Sequence, residues 1–221
     1  MDVAIVPLLF LVMPATLVLA AAFGLPALNE RRRQRAYSAF CLPRGYAYTP
    51  QHANATTPFA DTVGMFKSGT KRSWRDEISG TLDSKPFTAF EYQFVTGAGS
   101  YRMVFNRAMI HWQLNGTSMP AFTLVPRSTY LIRIGQGPSD IDFDDDPTFS
   151  KAYVLSGPDQ SALRALFTAT LRAGLTGLPG QFVAAKGADL FWWREQRLPP
   201  PEGIDAFLKD GARIRDLLVN A

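Results

Sequence analysis

The sequence predicts an α+β protein: a single N-terminal transmembrane helix, then a domain with a mainly antiparallel sheet of hairpins packed by two amphipathic helices. Three observations predict it. Val3 to Leu28 contains no charged residue. From Trp74 onward apolar residues recur at period two, as a half-buried strand requires. Two later stretches, from Ser156 and from Pro201, instead repeat apolar residues at three- and four-residue steps, which lines one side of a helix.

The apolar stretch comes first. A hydrocarbon core of about 30 Å takes roughly 20 apolar residues at helical rise, and Val3–Leu28 exceeds that length. Pro7 lies in the first turn, and membrane helices tolerate an interior proline such as Pro14. A signal peptide would place basic residues before a shorter core. Here only Met1 and Asp2 precede it, and Arg31, Arg32, Arg33 and Arg35 follow it. Basic residues beside a span stay on the cytoplasmic side. The expected localisation is therefore a cell inner membrane, single-pass, with the N-terminus outside and the C-terminal domain cytoplasmic. The expected divisions are residues 1–29 as anchor, 30–45 as a basic juxtamembrane helix and 46–221 as the α+β domain.

Charge is unevenly placed. The chain carries +4 in total. Residues 1–44 hold five arginines against Asp2 and Glu30, so the rest is nearly neutral. The expected partner of residues 3–28 is the lipid bilayer. Arg31, Arg32, Arg33 and Arg35 either fix topology, the preferred reading, or meet anionic headgroups at about 1 kcal/mol each. Without a basic, aromatic-interleaved domain surface, nucleic acid is not an expected partner. Cys41 is the only cysteine, so an intrachain disulfide is excluded. Its position permits lipidation, although a small buried apolar role is preferred.

Asn29–Leu42 continues as helix, with Ala36, Tyr37, Phe40 and Cys41 on one side, and Pro43 and Gly45 end it. Tyr46–Thr70 is irregular with one short strand, and His52 is an isolated polar-loop histidine. Ile78–Leu82 is a short strand. In FTAFEYQFVT, Phe90, Tyr92 and Phe94 alternate with Glu91 and Gln93, giving one apolar and one polar face. Gly97–Ser100 supplies the turn. A tight closure sets Phe94 against Met103 and Tyr92 against Phe105. In the return strand parity shifts near Asn106–Arg107, which means either a bulge or two covered faces. His111 points away from Ile110 and Trp112.

Pro120–Pro126 is a short strand near a sheet edge, and Tyr130–Ile134 is strand or helical turn. Phe149–Leu155 reads as a half-buried strand. Pro158 and Asp159 start a helix whose buried stripe is Leu163, Leu166, Phe167 and Leu171, with Gly174 and Gly177 loosening its end. Phe182–Ala184 and Leu190–Trp193 form a second hairpin. There Trp192 and Trp193 face opposite ways, one packing beneath the last helix. That helix carries Ile204, Phe207, Leu208, Gly211, Ile214, Leu217 and Leu218 on one stripe.

Two features carry possible chemistry. Asp140, Asp142, Asp144, Asp145 and Asp146 resemble the start of a calcium loop. Asp145 and Lys151, however, stand where that loop needs Gly and Glu. A solvated acidic turn partly neutralised by Lys151 or Arg133 is preferred to a metal site. His111 is a general base or metal ligand only if a partner stands beside it; a structural histidine is preferred. No residue is assigned as catalytic, cofactor-binding or metal-binding, and no cofactor is expected.

Phe149, Lys151, Tyr153, Leu155 and Asp159, with the preceding PAFTLVPR and the later KGADLFWWR, are similar to a pattern in bacterial membrane-anchored proteins that carry an uncharacterised domain. The resemblance covers about residues 75–218. It implies an anchored α+β domain and brings no catalytic residue. The preferred function is a membrane-tethered, cytoplasmic-facing binding or assembly module with an unidentified protein partner. The alternative is a metal-assisted hydrolase using Asp140–Asp146 with His111.

Overall fold

The computed structural model describes residues 27–51, 66, 69–129 and 140–221. Eight antiparallel strands form one sheet in the order β1-β2-β3-β4-β8-β7-β5-β6. They are β1 (Ala47–Gln51), β2 (Thr70–Leu82), β3 (Lys85–Thr96), β4 (Met103–Gln113), β5 (Met119–Pro126), β6 (Tyr153–Ser156), β7 (Phe182–Gly187) and β8 (Asp189–Arg194). The helices are α1 (27–41), α2 (Pro147–Ala152), α3 (Gln160–Leu166), α4 (Ala169–Thr176) and α5 (Pro201–Val219), and residues 127–129 are also helical.

The expected fold class needs one correction. Residues 3–26 of the apolar stretch lie outside the described residues, and among the described residues no helix is long and apolar enough to cross a membrane. The single transmembrane helix is therefore withdrawn from the fold class, which is α+β; beyond the juxtamembrane helix and the two amphipathic helices expected, the described residues add a helix at Pro147–Ala152 and split the helix begun at Asp159 in two. His52 and Tyr130–Ile134 also lie outside the described residues.

Both sheet faces are covered, because apolar residues occupy both parities of the central strands. The larger core joins Ala89, Ile110, Trp112 and Trp192 to Tyr37 and Phe40 of α1, Leu171 and Leu175 of α4, and Ile204, Phe207 and Ile214 of α5. The opposite core is aromatic and contains Phe66, Trp74, Phe90, Tyr92, Phe94, Phe191 and Trp193. This settles the parity shift in β4: its register with β3 runs unbroken from Trp112 to Met103, so there is no bulge and both faces are buried.

Several local expectations change for identifiable reasons. The β3–β4 loop contains a 3-10 turn at Gly99–Tyr101, so Phe94 pairs with Phe105 and Tyr92 with Arg107. Residues 147–152 are helix because Asp146 accepts the Phe149 amide at 3.0 Å and Pro147 occupies the first turn. Those two start signals override the period-two pattern. The helix begun at Asp159 breaks after Leu166, where Thr168 caps a second helix through the Leu171 amide at 3.3 Å. β5 lies inside the sheet, and β6 takes the edge.

Gly211 sets how closely α5 approaches the sheet. A Cβ there would lie 2.5 Å from Ile110 Cδ1 and 2.9 Å from Trp192 Cε3. The Trp192 ring is rigid and buried, so the helix would have to lift. Gly211→Val is expected to destabilise by about 2–3 kcal/mol, as overpacking does. A fall in the urea midpoint at unchanged slope would show it; an unchanged midpoint would mean that the contact has slack.

Candidate functional site

The acidic run does not converge on His111. It flanks β6, where the Ile141 amide bonds Leu155 O at 2.8 Å. His111 lies on β4, with β8, β7 and β5 between. Ile141 and Phe143 are buried anchors, and Asp140, Asp142, Asp145 and Asp146 around them meet arginines. Arg127 pairs with Asp140 and, at 3.2 Å, with Asp142, and it donates to Ser150 O at 2.7 Å. Arg172, itself buried, holds Asp145 at 2.7 Å and Asp146 at 3.1 Å. The Phe149 amide, before Arg172, holds the Asp146 carboxyl below its usual range. Asp144 is exposed. Among the described residues, no three His, Cys, Asp or Glu side chains gather as a metal ion would need. These acids cap α2 and fasten it to β5, β6 and α4.

His111 sits 2.7 Å from Asp189, with its ring stacked on Phe191 at 4.7 Å. Burial lowers its pKa, and Asp189 acts in the other direction. Cys41 is buried and burial pushes its thiol up to about 11, so it is a poor nucleophile at neutral pH. Trp192 and Trp193 face opposite cores and are both buried, Trp192 against Phe207 of α5.

The most heavily charged buried cluster is one that sequence reading missed. Asp76 and Glu91 are both fully buried beneath α1. A bulge in β2 between Arg75 and Ile78, with Asp76 in the left-handed region at φ 51°, turns both Arg75 and Asp76 toward that helix. Glu91 accepts from Arg75 Nε at 3.0 Å, from the Leu198 amide at 3.0 Å and from Arg33 Nη2 at 3.3 Å. Asp76 accepts from the Tyr48 hydroxyl at 2.7 Å. Its second oxygen lies 2.7 Å from Arg33 Nη2, an ion pair whose N–H is not aligned for a hydrogen bond. Burial raises the Asp76 pKa against the pull of Tyr48, Arg33 and Arg75. Burial likewise pushes the Tyr37 hydroxyl up to about 12. The cluster rivets α1, β2, β3 and the segment before α5 together. With both carboxylates closed off from solvent, its chemistry is structural. One signal was available: Glu91 shares its face with Phe87 and Ala89, so that side of β3 is not a polar face.

Arg33 thus faces inward, whereas Arg31, Arg32 and Arg35 are exposed. Arg44, at the end of the same segment, pairs with Asp205 of α5 at 2.7 Å.

A groove of about 820 Å³ opens between α4, α5 and the β2–β3 turn. Leu82, Leu171, Ala212 and Leu217 supply its apolar surface. Asp83 and Ser84 make the turn with φ of 51° and 61°, the geometry of a tight two-residue hairpin. Asp83 and Asp216 are committed to the buried Arg215, at 3.6 and 2.7 Å. Lys209 and Arg213 stand one helical turn apart on α5, exposed, and neither makes an ion pair among the described residues. The groove therefore presents an apolar surface beside two cations free to meet an anion.

No protein-family model matches the chain, and no curated protein matches it in sequence. A solved structure is similar in fold: the crystal structure of the mycobacterial trehalose monomycolate transport factor A, TtfA. The TM-score is 0.55 at 9% identity, over 85% of this chain and 95% of that one. At that identity the likeness shows a shared fold and nothing finer.

Proposed function

We propose that the chain is a binding or assembly module serving a transport process, and that it engages a partner protein through the α4–α5 groove. The observation that carries this is the pairing of an apolar surface with the two unpaired cations Lys209 and Arg213. The occupant that fits is an amphipathic helix with an acidic side. From Lys209 to Val219 the α5 wall runs about 15 Å at 1.5 Å per residue, room for about three turns of a helix laid into the groove. The fold likeness to a protein named as a transport factor supports the process. Arg127 and Arg172 hold four of the five aspartates of the acidic run on a different strand edge from His111, which supports the module over a hydrolase built on both.

The test is site-specific photocrosslinking of the full chain in its host, with benzoylphenylalanine at Thr170 on the groove or at Ala173 outside its lining. A discrete protein adduct is expected from Thr170 alone, and it should vanish in the Lys209→Glu, Arg213→Glu double variant. No adduct, or the same adduct from both positions, would overturn the reading.

A further inference from the structure

The β3–β4 hairpin ends in an apolar tip. Among the described residues, Tyr101, Met103 and Val104 are three of the five exposed large apolar side chains, at 84%, 57% and 49%. Successive residues of a strand point to opposite sheet faces, so Met103 and Val104 present apolar surface on both sides of the tip. Residues 69–75 and 92–107, which build this end of the sheet, contain no Asp or Glu. They do carry cations. Arg75 and Arg107 turn to Glu91 and Glu195, whereas Lys71 and Arg102 are exposed. Helix α1 starts toward the same end, because contacts along it descend β3 away from the tip. Arg33 reaches Glu91 at 3.3 Å. Tyr37 stacks at 5.5 Å on Tyr48, which stands opposite Ile78 and, one strand on, Ala89. Tyr46, just past the helix, packs on Phe87 at 5.1 Å. The first turns of α1 expose Leu28, Arg31 and Arg32. Glu30 is the acid on those turns, and it accepts from Gln34 at 3.2 Å.

We infer that this end of the protein rests on an anionic lipid surface, with Tyr101, Met103 and Val104 in the interfacial layer and Lys71 and Arg102 against the headgroup phosphates. Two features select a bilayer over a protein partner. The rigid surface of a folded partner covers one side of a hairpin, whereas a fluid interface closes around both, and Met103 and Val104 lie on both. The described charges at the tip are all positive, which complements anionic headgroups. The side chains also suit that boundary. Tyrosine joins an apolar ring to a polar hydroxyl and favours the headgroup level. Lysine and arginine lay their stems along apolar surface and keep their charges among the phosphates. The contact needs no helix that crosses the bilayer. It also lies far from the groove. β3 begins at Lys85, beside the β2–β3 turn that lines the groove, and ends at Thr96 below the tip. That is about 36 Å at roughly 3.3 Å per residue. The inference therefore stands apart from the proposed function and leaves the groove open to its protein partner.

A dye at the tip reads the contact. Met103→Cys in the full chain, labelled with an environment-sensitive nitrobenzoxadiazole, is mixed with preformed vesicles. The native Cys41 is buried and takes up little label. Thr81→Cys, exposed at the other end of β2, serves as the control. On vesicles of phosphatidylcholine and phosphatidylglycerol in equal parts, emission from position 103 should move to the blue and rise at least about twofold, as entry into the boundary between headgroups and acyl chains predicts. Position 81 should not respond on the same vesicles, nor position 103 on phosphatidylcholine alone. A basic residue near an anionic surface contributes about fivefold in affinity. Adding Lys71→Gln and Arg102→Gln should therefore raise the lipid needed for half the change by about 25-fold. No response at 103, an equal response at 81, an equal response on phosphatidylcholine alone, or a double-glutamine variant that titrates as its parent would each overturn the inference.

Discussion

Replacing Arg33 with methionine should destabilise the protein by about 3 kcal/mol at neutral pH, because breaking a buried ion pair leaves its partner charge uncompensated. Two carboxylates depend on this guanidinium. Asp76 lies 2.7 Å from it and Glu91 3.3 Å, and both are fully buried. Arg75 remains beside Glu91, and Arg33 is itself 24% exposed, so the loss falls at the low end of the 3–5 kcal/mol range for such pairs. The effect should depend on pH in a definite direction. Burial already raises the Asp76 pKa above its ordinary 3.8. A carboxyl raised on folding contributes stability that is complete below its unfolded value and lost as the pH rises through the folded one. Arg33 holds that folded value down, and without it the value climbs further. The gap between variant and wild type should therefore be widest at neutral pH and narrow toward 3.8 as Asp76 takes up its proton. Asp76→Asn keeps an acceptor for Tyr48 and removes the charge, so in the Arg33→Met background it should recover part of the loss at neutral pH. Urea unfolding at two pH values measures both effects. A loss independent of pH, with no recovery from Asp76→Asn, would show that Arg33 acts through packing alone.

That same arginine shows where sequence reading ran out. Periodicity placed a helix over Asn29–Leu42 where the fold has one at 27–41, and of its expected apolar side Tyr37, Phe40 and Cys41 are buried while Ala36 is exposed. A run of arginines reads as one solvated patch, and only the tertiary fold singles out Arg33, which sits one turn before Tyr37 and so shares its inward side. The second hairpin was legible because Val183 and Ala185 alternate with Phe182 and Ala184 across a short turn, and both faces are in fact buried. The β3–β4 register was not. The loop length depends on Gly97 and Gly99, both at positive φ, and two glycines in sequence permit several turns. Of the site features, the acidic run was visible, but its partners Arg127 and Arg172 are distant in sequence and no spacing rule connects them. The groove was invisible for the same reason: α4, α5 and the β2–β3 turn meet only in the fold.

The largest single side-chain effect should come from the adjacent tryptophans, and the pair offers an internal control. Trp192 and Trp193 are 1% and 2% exposed on opposite faces of β8. Truncating either to alanine should cost about 3–5 kcal/mol, as large-to-small aromatic changes in a core do. Phenylalanine separates them. Trp192 Nε1 donates to Gln181 Oε1 at 2.8 Å, and its ring packs on Phe207 of α5 at 5.0 Å. Phenylalanine there loses the bond as well as volume, and leaves the glutamine oxygen to find another donor. Trp193 Nε1 has no hydrogen-bond partner among the described residues, so phenylalanine removes a donor that none of them satisfies. Trp192→Phe should therefore cost more than Trp193→Phe by about 1 kcal/mol, the usual net worth of one hydrogen bond. Because Gly211 lies against the Trp192 ring, Trp192→Ala should also partly relieve Gly211→Val, giving a double variant more stable than the sum of its singles. Trp193→Ala, on the far face, should combine with Gly211→Val additively, as uncoupled sites do. If both tryptophans couple equally to Gly211, or if the two phenylalanine variants are equally stable, the assignment of separate cores to the two faces of β8 fails.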